Sequence, residues 1–374
     1  MVMRFVLAFI FAGAAIATPA LAADAPGTLV SATPVSAAPQ GMRAWTIAYW
    51  TSNENGRPLQ VTGMVVAPAR PSNVGARNVV AYTHGTWGVA QPCAPSLSPK
   101  FWDLTPGLDL LTAADTVIVA PDYPGLGSSS PNPYLIGEPT ARSVLDAVRA
   151  AGQIQGAGAG KRFAVWGESQ GGHAALWTGQ SARAYAPELT LAGVVAAAPP
   201  TDLAANFQGA SDPSAKAFLT GFTAFAWSQY YGLPLTIGRP ATPALIRNMA
   251  QKCLVGSTTP KFWTMLGILG LRRGLAGGDL ATLQPWAGIA AANSPSPRFV
   301  VPVMFAQTQA DPLVAPAVTR AFARRVCANG TAVHWVDLPG GDHPNTAKNS
   351  AAETARWLAD RFAARKPISD CGQF

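Results

Sequence analysis

The chain predicts an α/β fold, with a mostly parallel central sheet flanked by helices and a helical insertion breaking into it. Three observations carry this. Short, uncharged apolar runs recur along the chain, and each ends in a loop rich in Gly, Pro or Asp. Helix-like stretches separate the middle runs. The alternation stops between about residues 204 and 295 and then resumes. Uncharged strands alternating with helices belong to a parallel sheet covered on both faces, where neither side of a strand meets water.

In chain order, strands are expected at residues 61–67, 78–82, 116–120, 162–166, 191–197, 299–306 and 332–336. The loops that follow include the turn-rich stretch 69–75, Thr83-His84-Gly85-Thr86, Pro121 to Gly125, the glycine-rich turn after Trp166, and Pro199-Pro200. Functional residues of such sheets collect at the carboxyl ends of the strands, so each of these loops is expected at that end. Helices are expected at residues 140–151, with Val144, Val148 and Ala151 on one face, and at 173–184. Residues 204–295 hold Phe218, Phe222, Phe225, Trp227, Tyr230, Tyr231, Phe262 and Trp263 without strand patterning. They read as a helical insertion whose aromatics form a small core, or whose apolar face covers a substrate cleft as a lid. The expected organisation is a signal peptide at 1–22, a first part of the core at 23–203, the lid or cap at 204–295 and a second part of the core at 296–374.

The 374 residues are 49% hydrophobic and only 12% charged, enough for one large domain or a domain with a sizeable insertion. The 36 glycines and 33 prolines are dispersed, with no internal repeat or low-complexity tract. The formal charge is +8, but the basic residues are scattered, in pairs no longer than Arg272-Arg273 and Arg324-Arg325. Without a basic stripe and interleaved aromatics, nucleic acid is not an expected partner; the charge serves solubility and attraction to anionic envelopes. A basic start ending at Arg4, an apolar stretch over 5–16 and the small residues of Pro19-Ala20-Leu21-Ala22 make a signal peptide cut after Ala22 or Ala23. The alternative, a membrane anchor, needs a longer apolar stretch. A secreted or periplasmic protein is therefore expected. Cys93, Cys253, Cys327 and Cys371 lie far apart with no C-x-x-C pair, against a zinc knuckle. In an oxidising compartment they should form two disulfides, with three pairings open. Cys93–Cys253 would tether the insertion, and Cys327–Cys371 would tie down the C-terminal tail. Four free buried thiols are the alternative.

The chemistry centres on Gly167-Glu168-Ser169-Gln170-Gly171-Gly172. A G-x-S-x-G match is weak alone, but here it has a strand before it and a helix after it. The turn brings the residues two before and two after the serine together, where a Cβ would clash, and Gly167 and Gly171 remove it. Ser169 then sits at a helix N-terminus that favours developing negative charge. A serine needs a base. Of the four histidines, His84 closes a strand and braces its loop, His173 points away from the turn, and His334 reads as a core residue within a strand. His343, in Pro339-Gly340-Gly341-Asp342-His343-Pro344 after the last strand, is the expected base. Asp311, at a strand end between serine and histidine, should hold the imidazole tautomer; Asp342 is expected to cap a turn instead. Backbone donors for an oxyanion are expected at Gln170 and at Thr86, with Gly85 second.

Tyr82-Thr83-His84-Gly85-Thr86, Ala120-Pro121-Asp122-Tyr123-Pro124-Gly125-Leu126-Gly127, Gly167 to Gly172, Asp311-Pro312-Leu313-Val314 and His343 occur in that order. With them the sequence resembles the secretory lipase family, the lipase-A-like branch of the α/β-hydrolases, over roughly residues 40–365. The resemblance implies an α/β-hydrolase core, a helical lid, and carboxylic-ester hydrolysis without a metal or organic cofactor. It places the triad at Ser169, Asp311 and His343. The expected partner is a small-molecule or lipid ester, with transient contact at a lipid interface and no obligate protein partner. Some bacterial relatives act on plant cell walls, which keeps a non-lipid ester in view. A peptidase or amidase on the same fold and a non-catalytic binding protein are the rival readings.

Overall fold

The computed structural model describes residues 24–72, 75–255, 262–276 and 278–374. The expected signal peptide lies outside the described residues. Nine strands form one sheet: β1 (Leu29–Pro34), β2 (Met42–Ser52), β3 (Pro58–Pro68), β4 (Arg77–Thr83), β5 (Val117–Pro121), β6 (Ala159–Glu168), β7 (Thr190–Ala197), β8 (Val303–Thr308) and β9 (Val333–Leu338). Their spatial order is β1-β2-β3-β5-β4-β6-β7-β8-β9. From β5 to β9 every pairing is parallel; β1, β2 and β3 join antiparallel, β3 against β5.

Burial explains why the parallel strands read as unbroken apolar runs. Val79, Val80, Ala81, Val117, Val119, Val165, Val194 and Val195 have no solvent exposure, although successive residues face opposite sides. One side packs on the helices Gly137–Ala151, Gln170–Tyr185 and Pro316–Ala328 through Val144, Val148, Leu176, Phe322 and Val326. The other packs on Leu108–Ala113 and Ala351–Phe362 through Leu108, Leu111, Trp357 and Leu358. The sheet is thus the middle of three layers.

Three sequence expectations need correction. The strands β1 and β2 were not anticipated, although Trp45, Ile47 and Tyr49 alternate inward along β2 with partly exposed neighbours, the period of a half-buried antiparallel strand. Because β3 runs antiparallel to β5, the chain leaves it at Ala69 at the opposite end of the sheet from the other loops. The strand expected from residue 299 begins at Val303, after Pro302, which has no N–H to give to a ladder.

Between β7 and β8 lie the helices Leu203–Gly209, Pro213–Tyr231, Thr242–Ala250, Phe262–Gly274 and Trp286–Ala292. Asp202 and Asp212 cap the first two, accepting from Ala205 N–H at 2.9 Å and from Ser214 and Ala215 N–H at 2.7 and 2.9 Å. Phe207, Phe222, Trp227, Ile246, Met249, Leu271 and Trp286 form one apolar cluster, but Val89, Tyr134, Leu135 and Ile136 from the body of the molecule belong to it too. The aromatic core is shared with the sheet domain, not private to these helices. The cysteines pair as expected, Cys93 with Cys253 and Cys327 with Cys371. No helix among the described residues is long and apolar enough to cross a membrane.

Candidate active site

Ser169 links the end of β6 to the helix Gln170–Tyr185. Its φ of 54° and ψ of −121° lie outside the regions an L-residue favours, so the turn is strained. Its N–H donates to Ala197 O at 2.8 Å, fixing the turn against β7. The flanking glycines are sterically required. A Cβ on Gly167 would lie 2.2 Å from Gly171 O and 2.0 Å from Thr83 Oγ1; one on Gly171 would lie 1.9 Å from Thr83 O. Thr83 also donates its hydroxyl to Gly171 O at 2.8 Å, clamping the end of β4 to the turn.

The structure brings Ser169, His343 and Asp311 together. Ser169 Oγ is 2.9 Å from His343 Nε2, and His343 Nδ1 is 2.6 Å from Asp311 Oδ2. Asp311 is held in turn: its Oδ1 accepts from Leu313 and Val314 N–H at 2.9 Å each, and Oδ2 accepts from Gln307 Nε2 at 3.2 Å. Asp311 and His343 are each 5% exposed, whereas Ser169 is half-buried. With Asp311 accepting at Nδ1, the proton of a neutral imidazole sits there and Nε2 faces the serine hydroxyl with its lone pair.

Of the expected oxyanion residues, Gln170 and Gly85 border the same point. Gln170 opens its helix, so its N–H is one of the first-turn donors without an intrahelical partner. A Cβ on Gly85 would come within 3.9 Å of Ser169 Cβ, which places the His84-Gly85-Thr86 loop beside the serine. Thr86 Oγ1 lies 3.0 Å from Tyr134 Oη, and Tyr134 O accepts from Trp227 Nε1 at 2.9 Å. The loop is thereby connected to the helices between β7 and β8.

The other histidines have separate places. His84 is buried, stacked on Tyr123 with centroids 4.1 Å apart, and its Nδ1 is 2.6 Å from Gly85 O. His173 is buried with Nε2 2.7 Å from Asn293 O, at the far end of the helix Trp286–Ala292. Burial lowers both to about 4, so both are neutral near pH 7. His334 is not in the core: it lies on the edge strand β9 between Asp370, 2.8 Å from Nδ1, and Glu353, 3.3 Å from Nε2. Asp342 does not cap the turn backbone; its carboxylate takes both hydrogen bonds from the Asn345 side-chain amide, at 3.1 and 3.0 Å.

Sequence reasoning missed Thr83, Gln307, Asn293 and Glu168. Glu168 Oε1 accepts from Ala347 N–H at 2.8 Å, just beyond His343. Asn293 receives Gly137 N–H on Oδ1 at 3.0 Å and Trp177 Nε1 on its carbonyl at 3.1 Å, and its Nδ2 donates to Tyr231 Oη at 3.3 Å. Thr83, Asn293 and Glu168 act through partners distant in sequence and Gln307 through Asp311, four residues on; Thr83 and Glu168 carried a signal, their places inside the quoted Tyr82–Thr86 and Gly167–Gly172 stretches. Among the described residues no group of three or more His, Cys, Asp or Glu is arranged to hold a metal ion.

Comparison with known proteins agrees with this picture. The family model described as secretory lipase matches residues 108–262. A probable inactive lipase of Mycobacterium tuberculosis is 25% identical over 92% of this chain and 80% of its own. Lipase A of Moesziomyces aphidis is 26% identical over 51% of this chain and 41% of its own. Among solved structures, Candida antarctica lipase A superposes with a TM-score of 0.74 at 17% identity, over 93% of this chain and 84% of that one. The rice cell wall degrading esterase LipA of Xanthomonas oryzae superposes with a TM-score of 0.73 at 19% identity, over 90% and 97%. The chain is thus similar to the secretory lipase family over residues 108–262 and has the α/β-hydrolase fold of the lipase-A-like structures.

Proposed function

We propose that the protein is an exported serine hydrolase that cleaves carboxylic esters through Ser169, His343 and Asp311. The observation that carries the reading is the unbroken chain of contacts from Ser169 Oγ to His343 Nε2 at 2.9 Å and from His343 Nδ1 to Asp311 Oδ2 at 2.6 Å. Ser169 Oγ attacks the ester carbonyl carbon while His343 Nε2 takes the hydroxyl proton. The carbonyl oxygen becomes an oxyanion facing the backbone N–H groups of Gln170 and Thr86. Collapse breaks the bond to the alcohol oxygen, which leaves with the proton held by His343. Water, activated by the same imidazole, then hydrolyses the acyl-enzyme. Asp311 fixes the tautomer and offsets the charge of the imidazolium.

The helices at 204–295 act in this reading as a lid over the acyl site, a role supported by the link from Trp227 through Tyr134 to Thr86. Export is supported by the family match and the two disulfides. The relationship to a probable inactive lipase favours one rival, a hydrolase fold kept for binding alone. Hydrolysis of a p-nitrophenyl ester series, with Ser169→Ala as control, separates the two. Turnover that disappears in the variant supports the enzyme; equal rates for both proteins overturn it. Anilides cleaved faster than matched esters would replace esterase with amidase.

A further inference from the structure

Glu168 stands between the nucleophile and the base-bearing loop, and the triad does not use it. It is the last residue of β6, directly before Ser169. Its Oε1 receives the N–H of Ala347 at 2.8 Å, inside the short helix Thr346–Asn349 that follows His343. Thr346 is secured independently, its hydroxyl 2.8 Å from Thr308 Oγ1 on β8 and donating to His343 O at 2.9 Å. The loop carrying His343 is therefore tied to β8 by a hydroxyl pair and to β6 by one carboxylate. A carboxylate is an unusual tie at this place. The residue is only half-buried, yet its carboxyl is packed closely enough that burial pushes it up to about 7, against the hydrogen bond from Ala347 and the attraction of His343. The charged and titratable groups facing it are His343 and Asp342 on the loop and Tyr82 on β4.

We propose that Glu168 is a positioning residue that clamps the base-bearing loop to the nucleophile's strand and, when ionised, stabilises the imidazolium of His343 during attack. The inference rests on the Ser169–His343 reading above. Glu168→Gln keeps the shape and an acceptor for Ala347 N–H but removes the charge. Glu168→Asp keeps the charge and shortens the reach. In Glu168→Gln, kcat on a p-nitrophenyl ester should fall about tenfold at pH 8, where the wild-type carboxyl is ionised, with KM unchanged, and the deficit should close towards pH 6, where that carboxyl is protonated and Gln copies it. In Glu168→Asp the loss of kcat should not grow with pH in this way. A purely structural role would lower thermal stability in both variants and give both a loss that does not depend on pH. If the two variants share one pH profile, or if Glu168→Gln keeps the wild-type profile and kcat, the proposal fails. Wild-type labelling by a fluorophosphonate at Ser169 keeps the tests apart: without it the hydrolase reading itself has failed, and with it only the role of Glu168 is at issue.

Discussion

The strand ends that carry Ser169, Asp311 and His343 and the helices between β7 and β8 are built by different means. At the strand ends, position is over-determined. Ser169 is pinned by Ala197 O, its turn by glycines that admit no Cβ, and Asp311 by three donors. The helical region rests on apolar packing shared with Tyr134, Leu135 and Ile136, on the Cys93–Cys253 bond and on a few polar anchors such as Asn293. Hydrogen-bonded turns hold atoms to fractions of an ångström, as bond making requires. Apolar packing holds a surface while letting it vary. Chemistry is therefore to be sought at the strand ends and variation among the helices.

The largest test of this contrast is His343→Ala. It should lower kcat on any ester by about 10⁴-fold or more while the folded state persists, because the imidazole supplies chemistry, not the core. Steady-state kinetics and thermal unfolding of the variant check it together. A smaller effect is expected on the other side of the comparison. Replacing both Cys93 and Cys253 by Ser removes a cross-link spanning 160 residues, which the chain-entropy model values at about 5 kcal/mol. Denaturant unfolding should show that loss, with short-chain ester turnover retained below the transition. Turnover lost in step with the cross-link would mean that the two regions work as one unit.

The smallest effect is a pH dependence of stability. His84 and His173 titrate at about 4 when folded because burial disfavours their charged forms, against about 6.5 unfolded. Between those values the unfolded chain binds the protons, so stability is full above about pH 6.5 and is lost as pH falls towards 4, on the order of 3 kcal/mol for each histidine. Glu168 has the opposite sign: held up at about 7, it contributes most below about 4.5 and loses that contribution as pH rises to 7. His173→Gln, which can still donate to Asn293 O, should remove about half of the histidines' acid loss. Unfolding free energies at pH 7 and pH 4.5 measure it; an unchanged difference would mean that His173 is not held neutral.

How far the sequence could be read follows the same division. That Ser169, Asp311 and His343 would meet was legible because a serine, an acid and a histidine stand at strand ends in an order that suits one site. Gly167 and Gly171 were legible because the turn leaves no volume. The strands β4 to β9 were legible as apolar runs, though Pro302 delayed one of them. Thr83 and Asn293 were not, since each works through a backbone atom that only folding brings near; Gln307 stands four residues before Asp311, but only the turn at Asp311 sets its amide against the carboxylate. His334 reads like a core residue until the C-terminal tail sets Asp370 against it. The helical region was visible only as composition, and its shared core depends on Tyr134 and Val89, which no periodicity connects to it.

We hold that Ser169 is an activated nucleophile in this chain, although a relative that matches 92% of its length is named a probable inactive lipase. Incubation of the folded protein with a fluorophosphonate probe, followed by peptide mapping, tests it most directly. One covalent adduct is expected on Ser169, absent after denaturation and strongly reduced in His343→Ala. A folded wild-type protein that takes up no probe at Ser169 would contradict it.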